Sequence, residues 1–332
     1  MVTIQDIAEQ SGVSIGTVSR VLNSKPDVSP KTRERILEVM REMDYRPNGI
    51  ARQLAQKKSR VIGFLASDMM NPNFPELARG VVDEARQHGY SVMFFDTRRN
   101  SEFEQEATQI LETENVAGVV APIQKKISHD LARLYSQKIP VVRIYQDESS
   151  LTTPIVSLDN VEAGKAATQH LLDLGHQDIG FIWRGPSSFS DSERLKGYRL
   201  ALEKANRPIK EELIVDGPEG RESGKHCMEK LLNLHTPPTA VFASKDVLAI
   251  GAYDAIIDSG KSIPQDISVL GHDDIEACRL VRPQMSTMTT NRHKLGEAAV
   301  QMLLQQIDGD AEMEQERIFT AELIVRESTS PL

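Results

Sequence analysis

Cysteine is almost missing from this sequence: Cys227 and Cys278 are the only two in 332 residues, and they stand far apart. That excludes a disulfide-stapled scaffold and fits a reducing compartment with two free thiols. His226-Cys227 is an isolated pair and does not make a metal site. Catalytic signatures are missing too. There is no G-x-G-x-x-G, no G-K-[ST] loop, no H-E-x-x-H and no G-x-S-x-G. No apolar run approaches the roughly 18 residues of a membrane span. The N-terminus shows no basic-then-apolar leader pattern. The expectation is a cytoplasmic protein that is not an enzyme and has no membrane partner, metal or cofactor.

An overall excess of positive charge is also lacking. The net charge is −9, which taken alone argues against a nucleic-acid partner. Its distribution argues the other way. Residues 1–60 hold eleven Lys/Arg against seven Asp/Glu, a net +4 that leaves −13 for the remainder. A basic head on an acidic body suits a DNA reader joined to a separate sensor. With 39% hydrophobic and 26% charged residues, the chain is long and apolar enough for two or three globular domains.

The head is the most informative stretch. Residues 3–23 read T-I-Q-D-I-A-E-Q-S-G-V-S-I-G-T-V-S-R-V-L-N. Thr3 can cap a first helix, with Asp6 in capping-box position. Ile4, Ile7 and Ala8 make one apolar stripe, and Gly12 breaks the run where a left-handed turn is wanted. Ser14 caps a second helix whose apolar face is Val18, Val21 and Leu22. Its other face carries Ile15, Gly16, Thr17, Ser19, Arg20 and Asn23, which are small or polar with one cation. A helix lying in a DNA major groove needs such a face, since bulky or acidic side chains would block it or repel phosphate. An ordinary core hairpin is the alternative. Ser29-Pro30 opens a third helix to about Met43, with Ile36, Leu37, Val39, Met40 and Met43 facing inward. Pro47 biases Arg46 away from helix.

The pattern T-I-x-D-I-A-x-x-S-G-V-S-x-x-T-V-S-R-V-L-N resembles the N-terminal signature of the LacI/GalR family of bacterial transcription regulators, and the resemblance runs along essentially the whole chain. It implies a helix-turn-helix DNA-binding domain over residues 1–46. Ile15, Gly16 and Arg20 then hold base-reading positions, with Arg20 favouring guanine and Ile15 a thymine methyl. Ser14, Ser19, Asn23 and Tyr45 would hold phosphates. Residues 47–59 match a hinge helix, where Leu54 in N-x-x-A-R-x-L wedges into the minor groove. From the residues alone this stretch is about two turns long, too short to be stable by itself. A plain linker is the alternative.

From residue 60 onward, short apolar runs such as V-I-G-F-L, V-M-F-F, A-G-V-V-A and D-I-G-F-I alternate with helical stretches. This is an α/β pattern of parallel sheets covered on both faces. The shared Gly in V-I-G-F-L and D-I-G-F-I hints at two similar halves. The resemblance makes these two flavodoxin-like, doubly wound subdomains of the periplasmic-binding-protein type I. One covers about 60–158 and 291–321, the other about 160–288 and 323–332. No heptad tail follows, so a homodimer is expected.

Ligands of open α/β sheets bind at the carboxyl ends of strands. Asn71 to Phe74, Asp96, Asp159-Asn160, Phe189 to Arg194, Asp246 and Asp273 lie there. A hydroxylated ligand wants amide and carboxylate acceptors plus an aromatic face. Phe74 can supply the face, Asn73, Asp96, Asp246 and Asp273 the acceptors, and Arg194 a forked donor. Each has a plainer alternative: Asp246 and Asp273 as helix caps, Arg194 as a surface charge, Phe74 as core. The resemblance assigns Phe74, Arg194, Asp246 and Asp273 to effector contact and tilts the effector towards a sugar or sugar derivative. His272 stands where the family often has Phe or Tyr. Trp183 suits core packing and ligand stacking equally.

The expected function is a homodimeric repressor that binds double-stranded, pseudo-palindromic operator DNA under control of a small-molecule effector. A family member with a phosphocarrier protein as corepressor is the first alternative. A sugar-uptake binding protein and a sugar-modifying enzyme are the others.

Overall fold

The computed structural model describes residues 2–22, 25, 27–45, 59–122, 129–145, 153–310, 312 and 314–332. The chain divides into two units, Met1–Ser59 and Arg60–Leu332. The proposed hinge segment from 47 to 58, with Leu54, and the DNA-contact candidate Asn23 lie outside the described residues.

The first unit is three helices, α1 (Ile4–Ser11), α2 (Ile15–Leu22) and α3 (Pro30–Glu42). Local chemistry sets their ends. Thr3 and Asp6 form a reciprocal capping box on α1, and Gly12 closes it at φ +62°. The Ser14 hydroxyl accepts from the Thr17 N–H at 3.1 Å, and Ser29 accepts from Thr32 at 3.2 Å ahead of Pro30. Ile7, Ala8, Val18, Val21, Ile36, Val39 and Met40 form the core, with Tyr45 packed on it. Leu37 does not join them. It is 42% exposed, because one residue past Ile36 the helix has turned about 100°.

The second unit alternates strands and helices. In chain order these are β1 (Val61–Ala66), α4 (Phe74–Gln87), β2 (Ser91–Asp96), α5 (Ser101–Thr113), β3 (Gly118–Pro122), α6 (His129–Ser136), β4 (Val141–Ile144) and β5 (Ile155–Leu158). Then come α7 (Asn160–Asp173), β6 (Ile179–Trp183), α8 (Phe189–Lys204), β7 (Ile214–Asp216), α9 (Arg221–Leu232), β8 (Ala240–Ala243), α10 (Asp246–Asp258) and β9 (Ser268–His272). Last are α11 (Ala277–Leu280), β10 (Ser286–Thr289), α12 (Arg292–Asp308), β11 (Glu316–Phe319) and β12 (Glu322–Ile324). One sheet has the order β11-β5-β4-β3-β1-β2 and the other β12-β10-β9-β8-β6-β7. Neighbouring strands are parallel except for β12, which runs antiparallel to β10. The chain passes between sheets three times, after β5, β10 and β11. The two orders are the same doubly wound plan used twice.

The repeated glycine of the two halves has a packing cause. A Cβ on Gly63 of β1 would run into Leu111 of α5, and one on Gly180 of β6 would stand 2.9 Å from Leu231 of α9. These are equivalent helices in the two plans. Close approach also explains Gly164 of α7, where a Cβ would strike the Arg194 carbonyl of α8, while Gly197 of α8 faces the Val161 carbonyl in return. Backbone cannot yield as a side-chain tip can. Gly164→Ala is expected to lower the unfolding free energy by about 2–3 kcal/mol through overpacking, read as a fall in the urea midpoint with unchanged slope.

Candidate ligand cavity and nucleic-acid interface

Both sheets of the second unit send strand ends to one cavity of about 40 Å³. From the first sheet come Asn73 before α4, Tyr145 after β4, Leu158 at the end of β5 and Asn160 where the chain crosses over. From the second come Arg184 after β6, Ser190 and Arg194 on α8, Lys245 after β8 and Asp273 after β9. Arg292, the first residue of α12, completes it. Of the side chains placed in the effector site from sequence, Asn73, Arg194 and Asp273 line this cavity.

Charge organises the cavity. Arg184 gives Nε to Asp191 at 2.8 Å and Nη2 to Asp191 at 3.0 Å and to Ser188 at 2.7 Å. Arg194 is 2% exposed, so it is no surface charge; its Nη1 donates to the Ser244 carbonyl at 2.7 Å and stands 3.5 Å from Asp191. Asp273 accepts from Lys245 Nζ at 3.0 Å and from Arg292 Nη2 at 2.8 Å. His272 Nδ1 lies 3.1 Å from the same carboxylate. Burial, and then the Arg194 charge, lower the His272 pKa to about 3. The ring is therefore neutral and Nδ1 donates to Asp273. Burial opposes ionisation of Asp191 and Asp273, but Arg184 beside the first and Lys245 beside the second outweigh it and hold both carboxyls below their ordinary range. Tyr145 and Asp273 sit at φ +73° and +130°, which stores roughly 1–3 kcal/mol each at the cavity wall.

Glu219 extends the network outward. It accepts from Arg184 at 3.4 Å and from Arg99 at 3.1 Å, and Arg99 also pairs with Asp68 at 3.4 Å. Arg99 and Asp68 follow strands of the first sheet, whereas Arg184 and Glu219 follow strands of the second. This chain of ion pairs therefore bridges the two sheets at the cavity rim.

Three expected effector residues do not line the cavity. Phe74 is 2% exposed and packs edge-on against Phe64 at 6.2 Å, inside the core of the first sheet. Asp96 accepts from the Met69 and Arg98 N–H groups, each at 3.2 Å, and lies with Phe95, Arg98 and Phe103 in a separate surface groove. Asp246 is fully buried. One of its oxygens accepts from Thr287 at 2.6 Å, the other from the Ile275 N–H at 3.0 Å and the Cys278 thiol at 3.1 Å. Neither Asp246 nor Asp273 makes a side-chain helix cap. Trp183 packs beside Phe181 rather than in the cavity. Arg184, Lys245 and Arg292 line the cavity as well, and none of them is an acceptor of the kind expected from sequence. Their signal was position: each follows a strand of the second sheet at its carboxyl end.

Burial, with the Asp273 charge second, raises the Asp246 pKa to about 6. The sign follows. Between about pH 4 and 6 the folded chain keeps a proton that the unfolded chain has lost, so this group's contribution falls as pH rises through that window. Asp246→Asn removes the charge; its carbonyl can accept the Ile275 N–H and its amide can donate to Thr287. The stability of Asp246→Asn relative to wild type should grow by about 2–3 kcal/mol from pH 4 to 7, measured by urea unfolding at each pH.

In the first unit, the outer face of α2 is open. Ile15 is 46% exposed, Ser14, Gly16 and Arg20 are exposed, and Thr17 and Ser19 are half-buried. Arg20 Nε makes a solvent-exposed pair with Asp27 at 3.2 Å. Tyr45 is half-buried against the core. Exposed polar groups beside an exposed guanidinium suit base edges and phosphates.

Comparison with known proteins bears on both units. Residues 3–48 match the model of bacterial regulatory proteins of the lacI family, and residues 168–329 match the periplasmic binding protein-like domain. The HTH-type transcriptional regulator DegA of Bacillus subtilis (strain 168) is 36% identical over 99% of this chain and 98% of its own length. The lac repressor dimer bound to operator and the anti-inducer ONPF superposes with a TM-score of 0.87 at 30% identity, covering 99% of each chain. A complex of the transcriptional regulator CelR with cellobiose superposes at 0.75 and 26% identity, covering 99% of this chain and 100% of that one.

Proposed function

This chain belongs to the LacI family and is a DNA-binding transcriptional regulator, and from that premise we propose that it is a homodimeric repressor switched by a small effector held among Arg194, Asp273 and Asn73. Two copies of α2 enter successive major grooves of a pseudo-palindromic operator. Ile15, Gly16 and Arg20 meet base edges, while Ser14, Thr17, Ser19, Asn23 and Tyr45 hold the backbone. Leu54 wedges into the minor groove between them. It works in the cytoplasm.

The observation that carries this reading is the cavity, which is walled by strand ends of both sheets and spanned at its rim by the Arg99–Glu219–Arg184 bridge. A ligand there touches both halves at once. It can act only through a difference in affinity between open and closed arrangements of those halves. The sugar-bound and operator-bound structures similar to this chain support the same division of labour.

The test is selection of bound duplexes from a randomised pool, followed by affinity measurements against salt with and without a metabolite panel. Enrichment of a palindrome is expected, with log affinity falling linearly in log salt and with one metabolite class moving it. Binding that shows no salt-sensitive preference for any duplex overturns the proposal.

A further inference from the structure

We propose that the effector is a small hydroxylated anion, one carboxylate or phosphate group on a polyol-like body, with its charge against Arg194, Lys245 and Arg292. This rests on the cavity being the effector site and goes on to name what enters it. Among the described residues four cations line the cavity, Arg184, Arg194, Lys245 and Arg292, against one carboxylate, Asp273. Behind that wall stand Asp191, tied to Arg184 and Arg194, and Asp246, tied into the core. Even with all three carboxylates ionised the cluster keeps one positive charge in excess. At the rim Glu219 and Asp68 share the single cation Arg99, so the excess belongs to the cavity wall and not to the wider network.

Holding cations away from water is costly, and burial here pulls down the pKa values of Arg194 and Lys245. A wall with four cations and one carboxylate offers an anion more charge-assisted partners than it offers a neutral sugar. Two unmade hydrogen bonds point the same way. The Nε–H of Arg194, on a side chain 2% exposed, has no partner among the described residues, which leaves a donor for an anionic oxygen. Asn160 Oδ1, also buried without a partner, is an acceptor suited to a ligand hydroxyl.

The experiment is a thermal-unfolding titration of the full chain at constant ionic strength. The probes are inorganic phosphate, acetate, gluconate, glucose 6-phosphate, glucose, ribose and cellobiose. At about a hundredfold its dissociation constant, a hydroxylated anion should raise the midpoint by about 5 °C, and the neutral sugars should leave it in place. Gluconate acting alone identifies a carboxylate, glucose 6-phosphate acting alone a phosphate. Lys245→Gln should weaken the active anion by about tenfold or more, and Lys245→Arg should retain it. Equal or stronger shifts from neutral sugars overturn the inference and leave the effector reading standing. No saturable shift from any anion also overturns it. If in addition no probe changes operator affinity, the effector reading falls with it.

Discussion

Arg20→Ala should weaken operator binding by about fivefold to a hundredfold for each half-site, and it should do so unevenly across sequences. A bidentate arginine–guanine pair discriminates by about 1–3 kcal/mol. In the free chain Arg20 pairs, among the described residues, with the exposed Asp27 at 3.2 Å. Such surface pairs are worth about 0–1 kcal/mol, so the guanidinium can leave Asp27 for a base at small cost. Competition with duplexes altered one base pair at a time reads the effect. Wild type should reject the change at one position of each half-site, and Arg20→Ala should lose that rejection. Retained discrimination at every position would remove Arg20 from base reading and leave it a phosphate contact. Asp27→Asn, which frees Arg20, should not weaken binding.

The head was legible because its instructions are local. Thr3 with Asp6, Gly12, Ser14 and Ser29-Pro30 each act within four residues, and the structure realises each as a helix end. The strands of the sheet interiors were legible for a different reason. Buried on both faces, β3 and β8 are apolar throughout, and β4 and β5 are apolar but for one buried polar residue each, Arg143 and Ser157. The edge strands β7, β11 and β12 escaped notice because they are only partly buried and carry Asp216, Glu316, Arg317 and Glu322. Leu37 shows the limit within a helix: an apolar residue at nearly the right phase still lies outside the buried stripe.

The cavity was legible as a place and not as a composition. The strand-end rule located it, but depth is a tertiary property. Asp246 and Asp273 follow adjacent strands, β8 and β9, and look alike in sequence. Asp246 is drawn into the core by Thr287 and Cys278, 41 and 32 residues away. Asp273 is held at the cavity wall by Lys245 and Arg292. Hydroxyl-acceptor chemistry therefore points to the acids and not to the cations, Lys245 and Arg292, that hold Asp273 in place. Charge balance becomes readable only when the partners of each group are known.

Asp191 is where that balance is most exposed to a single substitution. Its carboxylate, fully buried, holds Arg184 through two side-chain bonds, accepts from Ser244 at 2.9 Å and stands beside Arg194. Asp191→Ala strands two guanidiniums in the interior, a loss of about 3–5 kcal/mol. The urea midpoint at pH 7 should fall accordingly, with the slope unchanged. The pH dependence supplies the sign. Arg184 holds the Asp191 carboxyl below its ordinary value in spite of burial. Its stabilising contribution is thus present above that ordinary value and lost as pH falls through the depressed one. The gap between wild type and Asp191→Ala should therefore narrow in acid. Asp191→Asn, which keeps the shape and one acceptor but not the charge, should fall between the two. A loss under about 1 kcal/mol at pH 7 for Asp191→Ala would mean that the buried arginines are not held by charge, and the electrostatic account of the cavity would go with it.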